Sequence, residues 1–190
     1  MKLERTPADK WFSDCVRIRS NWHCEACGGD FSNHREYLDC SHFISRGKLS
    51  TRLHPLNAFA HCKSCHPKLG GGRWGGGNVA EFTAHFDARR GPMNRHFLMK
   101  LAQMPFRYYK HYIKDMSAHY RAEFRRIEAL RKDGNIKYQH FEMFEGAVEL
   151  SAIISDIKQE LNRSFHANTH EDSNLKVSKN TGLYKEFNGF

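Results

Sequence analysis

Two pairs of cysteines give the strongest chemical signal in the sequence. Cys24 and Cys27 form one Cys-x-x-Cys motif, and Cys62 and Cys65 form a second, with 34 residues between the motifs. Each motif presents two thiolates to one ion from a tight turn, and four thiolates complete a tetrahedral site. We therefore predict one structural Zn²⁺ per chain. Such a zinc has no open coordination position and cannot activate water, so any chemistry must come from other residues.

Three further polar residues stand at characteristic positions around the second motif. His42 lies between the two motifs, Asn57 precedes Cys62 by five residues, and His66 follows Cys65 directly. With the four cysteines, these residues resemble the signature of HNH endonucleases in its zinc-binding form. The resemblance implies the ββα-metal fold, in which a β-hairpin carries the first His, a loop carries the Asn and a helix carries the last metal ligand.

A closer likeness is to the NinG, or Rap, recombination proteins of lambda-like phages, which are HNH-type nucleases of branched DNA. It covers residues 10–132 and includes Asp39 and the Gly-Asn-Val-Ala-Glu-Phe sequence at 77–82. The chain departs from that family in carrying His66 where Asn is usual, and in a longer Gly-rich insertion at 70–77. HNH enzymes at large accept either residue as a metal ligand.

The chemistry of this set follows from what phosphodiester hydrolysis requires. The reaction needs a deprotonated water in line with the leaving oxygen and a cation that neutralises the developing charge. His42 is the candidate general base, because a neutral imidazole can take the proton, and Asn57 would hold its ring or its strand in position. Asp39 and His66 would bind one catalytic Mg²⁺ or Mn²⁺ that keeps several water ligands. The family implies a 5′ phosphate and a 3′ hydroxyl as products.

The position of Asp39 leaves the catalytic metal set open. Many HNH enzymes carry the acidic or His ligand directly before the base, where this chain has Ser41, and Asp39 lies three residues before His42. A bulge in the hairpin could bring Asp39 round to the site. Without such a bulge, the open alternatives are that His42 is itself a ligand and that His61 or another of the 13 histidines is the base.

The charge distribution favours DNA as the partner. The 190 residues carry a net charge of +9 with neutral histidines. Residues 1–133 hold 24 basic and 13 acidic side chains, whereas residues 134–190 hold 6 and 8. The basic excess therefore lies in the part with the zinc motifs. Arg46 and Lys48 are the candidate contacts to the DNA backbone, and the alternating aromatic and basic residues of 106–112 suit either a stacking surface or a helix core.

Apolar periodicity predicts an α+β, mostly helical fold. The resemblance to HNH enzymes implies that its core is a zinc-stabilised ββα-metal (HNH) unit, followed by helices. The predicted elements are a helix over 7–20, a strand or hairpin within 31–49, two helices over 79–105 broken at Gly91-Pro92, and a long helix over 109–130. The predicted parts are a nuclease domain over 8–133, an amphipathic acidic helix over 134–164, with apolar residues at 137–162 and a break at Gly146, and a flexible tail over 165–190.

Together these features predict a metal-dependent HNH endonuclease acting on branched recombination or replication DNA. The alternative is a non-catalytic zinc-finger DNA-binding or adaptor protein. No apolar run approaches the roughly 20 residues of a membrane span, and the N-terminus lacks a signal-peptide pattern, so we expect a cytoplasmic protein. The resemblance implies that it is phage-encoded and acts in a bacterial host. A symmetric junction would favour a homodimer. Residues 134–190 could dimerise, bind a phage or host replication or recombination protein, or shield the basic surface.

Overall fold

The computed structural model describes residues 4–69, 78–106, 110–146 and 148–171. These residues form an α+β fold that is mostly helical, as predicted. The seven helices are α1 (Pro7–Arg19), α2 (Leu49–Arg52), α3 (Cys65–Leu69), α4 (Val79–Arg90), α5 (Pro92–Leu101), α6 (Lys110–Lys132) and α7 (Val148–Glu171). The two strands are β1 (Leu38–His42) and β2 (Ala58–Cys62), which pair antiparallel. No helix among the described residues is long and apolar enough to cross a membrane.

The start of α1 is fixed by a reciprocal cap. The Asp9 amide donates to Thr6 Oγ1 over 3.2 Å, and the Thr6 amide donates to Asp9 Oδ2 over 2.8 Å, which satisfies amides that a helix start leaves unpaired. The apolar face of α1 packs against α6, where the rings of Phe12 and Tyr120 meet edge to face with centroids 5.3 Å apart. The predicted helix over 7–20 is confirmed.

The sheet has a regular register from Leu38 opposite Cys62 to His42 opposite Ala58. The prediction of a strand within 31–49 is confirmed, but a hairpin confined to that range is wrong, because the partner strand begins only at Ala58. Side chains alternate between the two faces of a strand. Leu38, Cys40 and His42 therefore share the face towards α1, and Asp39 and Ser41 lie on the opposite face.

A second apolar core lies on that opposite face. Phe59 of β2 packs there with α4, α5 and α7. Gly91 separates α4 from α5 with a φ of 84°, a conformation that favours glycine. Both helices and the predicted break between them are confirmed. The predicted long helix corresponds to α6.

The predicted amphipathic helix over 134–164 is wrong in its first half. Residues 135–146 are not helical, and the helix begins at Val148. The aromatic residues that suggested a helix pack separately as an irregular segment: Tyr138 lies beside Arg19 and Arg90, and Phe141 meets Phe12 edge to face with centroids 5.7 Å apart. Tertiary packing of each ring has overridden the local periodicity.

Several predictions fall on residues outside those described. The Gly-rich insertion at 70–77, the centre of the aromatic and basic segment at 107–109, and positions 172–190 of the predicted tail belong to this group. The backbone of α7 continues through the first positions of that tail, to Glu171.

Candidate metal and catalytic site

The four motif cysteines converge at one corner of the molecule. Their sulfur atoms all lie within 4.8 Å of one another, and the Sγ atoms of Cys27 and Cys62 are 4.0 Å apart. Four sulfurs at the usual Zn–S distance would be separated by about 3.8 Å at tetrahedral angles. The predicted convergence of the cysteines is confirmed, and the cluster is compatible with a structural zinc ion.

Local backbone geometry presents the first pair of thiols. The Gly28 amide donates to the Cys24 carbonyl and the Cys24 amide donates to the Gly29 carbonyl, each over 2.9 Å. Gly28 has a φ of 75°, so the turn needs a residue without a side chain. The Cys62 amide donates to Cys24 Sγ over 3.3 Å, which ties the second pair to the first.

Glu25, inside the first motif, anchors this corner to the rest of the protein. Its carboxylate accepts from Arg19 and Arg90, each over 2.9 Å, and from the Ala60 amide over 3.0 Å. The side chains of Arg19 and Glu25 are buried, and that of Arg90 is 10% exposed. Although burial raises it, the charges of Arg19 and Arg90 hold the pKa of Glu25 below its ordinary value. No sequence pattern indicates this network, because its members are far apart in the chain.

Asp39 and His66 come together on the face of the sheet opposite α1. The His66 Nδ1–H donates to Asp39 Oδ2 over 3.0 Å. This hydrogen bond lowers the pKa of Asp39, and the charges of Lys63 and Arg17 add to the effect. A carboxylate that orients a histidine in this way commonly presents the other ring nitrogen to a metal ion. Because the side chains of His66 and Asp39 are 21% and 40% exposed, the pair is open to solvent.

His42 lies in a different environment. Its Nε2–H donates to the Arg52 carbonyl over 3.0 Å, and its ring centroid is 6.0 Å from that of Phe12. Burial lowers the pKa of His42 to about 4, so the ring is neutral at pH 7. The proton on Nε2 leaves the lone pair on Nδ1.

The sheet separates His42 from the Asp39–His66 pair. The register from 38 to 42 contains no bulge, so the bulge that could bring Asp39 round to His42 is absent. Residues 39 and 42 project from opposite faces and are about 10 Å apart along an extended strand. Asp39 and His66 therefore lie together, and His42 lies apart from them.

Comparison of the chain with protein-family models, curated proteins and solved structures finds no match. The assignment of each site residue therefore rests on its own contacts. Asn57 illustrates this: its side chain accepts from the Ile44 amide over 2.7 Å and donates to the carbonyls of Ile44 and Thr51, each over 3.0 Å. It fixes the loop after β1 and makes none of these hydrogen bonds to the His42 ring.

The same loop carries the predicted DNA contacts Arg46 and Lys48. The Lys48 amide donates to the Ser45 carbonyl over 2.9 Å, which closes a turn around Arg46 and Gly47. Lys48 is exposed, and the charge of Arg46 contributes to the low pKa of His42, after burial. Both basic residues thus belong to the His42 side of the site.

An ion pair that the sequence did not reveal supports His42. Arg52 Nε and Nη2 donate to the two carboxylate oxygens of Asp9, each over 2.7 Å, and this pair is buried. Because the Arg52 carbonyl accepts from His42, the contact with Asp9 in α1 also fixes the acceptor that orients the imidazole.

Two histidines occupy the face that Asp39 shares. His61 lies directly opposite Asp39 in the register, and its Nε2 is 3.3 Å from Nε2 of His85 in α4. Burial lowers the pKa of His61 to about 3. His61, the alternative base suggested by the sequence, is fully buried. The signal that could have found His85 is its spacing of three residues from Phe82, which puts both on one side of α4.

Proposed function

We propose that the chain is a metal-dependent HNH endonuclease that hydrolyses phosphodiester bonds in branched DNA during phage recombination or replication. The observation that carries this proposal is the contact between Asp39 and His66, which unites a carboxylate and an imidazole in an open position. These two residues meet although 27 positions separate them in the chain. A protein that only binds DNA has no need of such a pair.

In this proposal Asp39 and His66 hold the cation. Their oxygen and nitrogen atoms suit Mg²⁺ or Mn²⁺, which would neutralise the charge that develops on the scissile phosphate. The remaining positions around such an ion are open to water, because both side chains are partly exposed. The cysteine cluster has a different role, since it holds the structural zinc and supports the ends of β2 and α3.

His42 is the proposed general base. Its neutral ring can accept a proton, and it is only half-buried at the end of β1, whereas His61 is fully buried and faces His85. Because His42 lies on the opposite face from Asp39 and His66, the substrate must extend around the end of β1 to contact both. If the substrate cannot do this, His66 is the alternative base: Asp39 orients its ring, Nε2 takes the proton, and Asp39 then holds the cation without His66.

A second candidate function is a non-catalytic zinc-finger DNA-binding or adaptor protein. The observation in its favour is the separation of His42 from Asp39 and His66 by the sheet. In that case the cysteine cluster serves only to present the basic elements to DNA.

A cleavage assay separates the two candidates. Purified protein is incubated with supercoiled plasmid and with four-way, flap and linear duplex DNA, in Mg²⁺, Mn²⁺ or EDTA. We expect metal-dependent cleavage, a loss of about 100-fold in His66→Ala and a loss of at least about 100-fold in His42→Ala. His96→Ala, an exposed histidine on α5, is the matched control. An absence of metal-dependent cleavage refutes the nuclease. Full activity of His42→Ala would show that His42 is not the general base and would leave His66 as the candidate.

A further inference from the structure

An exposed aromatic and basic patch adjoins the Asp39–His66 pair. We define the Tyr37 patch as His34, Arg35, Tyr37 and Lys63. Tyr37 precedes β1 and continues the strand pairing by one position, because the Lys63 amide donates to the Tyr37 carbonyl over 3.0 Å. It is two residues from Asp39, which limits their separation along the chain to about 7 Å.

The ring of Tyr37 is accessible to solvent and lies beside a cation. The residue is 49% exposed, more than any other Phe, Tyr or Trp described. The Lys63 ammonium lies 4.8 Å from its ring centroid, and the His34 ring lies edge to face with it at 6.2 Å. An exposed ring beside a cation is the arrangement on which nucleobases stack in single-strand binding proteins.

The charges around the patch suit a phosphate backbone. The Arg35 guanidinium lies 4.2 Å from the centroid of the Trp22 ring, and Lys63 is close enough to Asp39 to act on its charge. Glu36 is the acidic residue of this segment, and its carboxylate lies 3.7 Å from His34 Nδ1. One cation, Lys63, therefore borders the Tyr37 ring, a second, Arg35, lies on the neighbouring Trp22, and the Glu36 carboxylate is turned towards His34.

We propose that the Tyr37 patch stacks an unpaired nucleobase next to the phosphate that the cation at Asp39 and His66 would contact. Bases in a duplex are stacked on one another, so a tyrosine ring can reach only a base that is unpaired or extruded. The patch therefore selects single-stranded or branched DNA over plain duplex. This inference rests on the proposed function for the position of the phosphate, but stacking itself can be measured without cleavage.

The test is a binding measurement. Zinc-loaded protein without added Mg²⁺ or Mn²⁺ is titrated against a fluorescein-labelled single-stranded oligothymidylate and a duplex of equal length, with fluorescence anisotropy as the readout. Tyr37→Ala should weaken single-strand binding about tenfold and leave duplex binding within about twofold. Tyr37→Phe, which keeps the ring, should bind like wild type. Met99→Ala is the matched control, because Met99 is also 49% exposed and lies on α5.

Lys63→Gln should behave differently from the tyrosine variants. It removes one phosphate contact, so both DNA forms should bind more weakly and the dependence of log Kd on log salt should fall by about one unit. Zinc content and Tm of each variant report whether the fold is intact.

The results separate this inference from the proposed nuclease activity. The inference is overturned if wild-type protein does not bind single strands. It is also overturned if Tyr37→Ala binds them as wild type does. Equal losses of affinity for single strand and duplex in Tyr37→Ala also overturn it, because losing a stacking contact with an unpaired base should not weaken duplex binding. Selective single-strand binding by a protein that never cleaves would support the patch and refute the nuclease.

Discussion

The two polar centres of the molecule differ in how completely the fold assembles them. The cysteine cluster brings four ligand atoms within 4.8 Å of one another, and Glu25 ties it to α1, β2 and α4 through buried hydrogen bonds. The Asp39–His66 pair brings two groups together at the solvent boundary, and His42 projects from the other face of the sheet. The first centre is closed and the second is open.

This difference matches two different roles. A closed set of thiolates gives its binding free energy to folding. An open pair keeps positions for water and substrate and contributes little to stability, because exposed ion pairs are worth at most about 1 kcal/mol. Damage to the first centre should therefore unfold the protein, whereas damage to the second should leave the fold intact.

Removal of zinc should have the largest effect. Structural zinc ions contribute on the order of 10 kcal/mol to small domains, so Cys62→Ala or a strong chelator should abolish cooperative unfolding of the core around Cys24 and Cys62. Circular dichroism melts with metal analysis give the readout, and we expect about one zinc per chain. Cys40→Ala, which alters a cysteine outside the cluster, is the control. An unchanged melting curve after chelation, or protein without zinc, would contradict the closed site.

Glu25→Gln should have the next largest effect. It leaves the buried guanidinium groups of Arg19 and Arg90 without a counter-charge, and breaking a buried pair in this way costs about 3–5 kcal/mol. Urea denaturation measures the change. Glu128→Gln is the control, since Glu128 forms an exposed pair with Lys132 and should shift the free energy of unfolding by less than about 1 kcal/mol. Equal changes in the free energy of unfolding of the two variants would contradict the anchoring role of Glu25.

Acid should destabilise the protein through His54 and His42. Burial lowers the pKa of His54 to about 3 and that of His42 to about 4, whereas both titrate near 6.5 in an unfolded chain. Below pH 6.5 the unfolded state therefore binds protons that the folded state excludes. Stability should fall by about 1.4 kcal/mol per pH unit for each histidine.

His54→Asn isolates one of these contributions. His54 Nδ1 accepts from the Leu56 amide over 3.2 Å, and Asn keeps an acceptor there without a titrating group. Urea denaturation at pH 7 and pH 5 should show a smaller loss in this variant than in wild type. Equal losses would mean that His54 does not exclude protons in the folded state.

The sequence identifies most helices and the cysteine cluster because their determinants are local. The cap of α1 and the apolar periodicity of α1, α4 and α6 belong to each helix, and each cysteine pair is three residues apart. The face of a strand is different, since it depends on register, and no local pattern indicates the regular pairing that separates His42 from Asp39. The segment 135–146 misleads for a related reason: its aromatic residues are spaced as in a helix but find separate tertiary partners.

Asn57 and the buried ion pairs show the same limit. The position of Asn57 before Cys62 predicts that it holds part of the site in place, yet only its hydrogen bonds to Ile44 and Thr51 identify the loop after β1 as the part it holds. The pairing of Arg52 with Asp9 joins residues 43 positions apart, and nothing in the spacing of two charged residues so distant indicates that they meet.

The most direct test of the proposed metal site compares Asp39→Asn with wild type in three quantities at once: metal-dependent cleavage rate, zinc content and Tm. Asp115→Asn, an exposed aspartate on α6, is the control. We expect Asp39→Asn to keep its zinc and its Tm and to lose about 100-fold in cleavage at saturating Mg²⁺ or Mn²⁺. Cleavage by Asp39→Asn at the wild-type rate, or a loss of activity that tracks loss of zinc, would contradict the proposed separation of an open catalytic centre from a closed structural one.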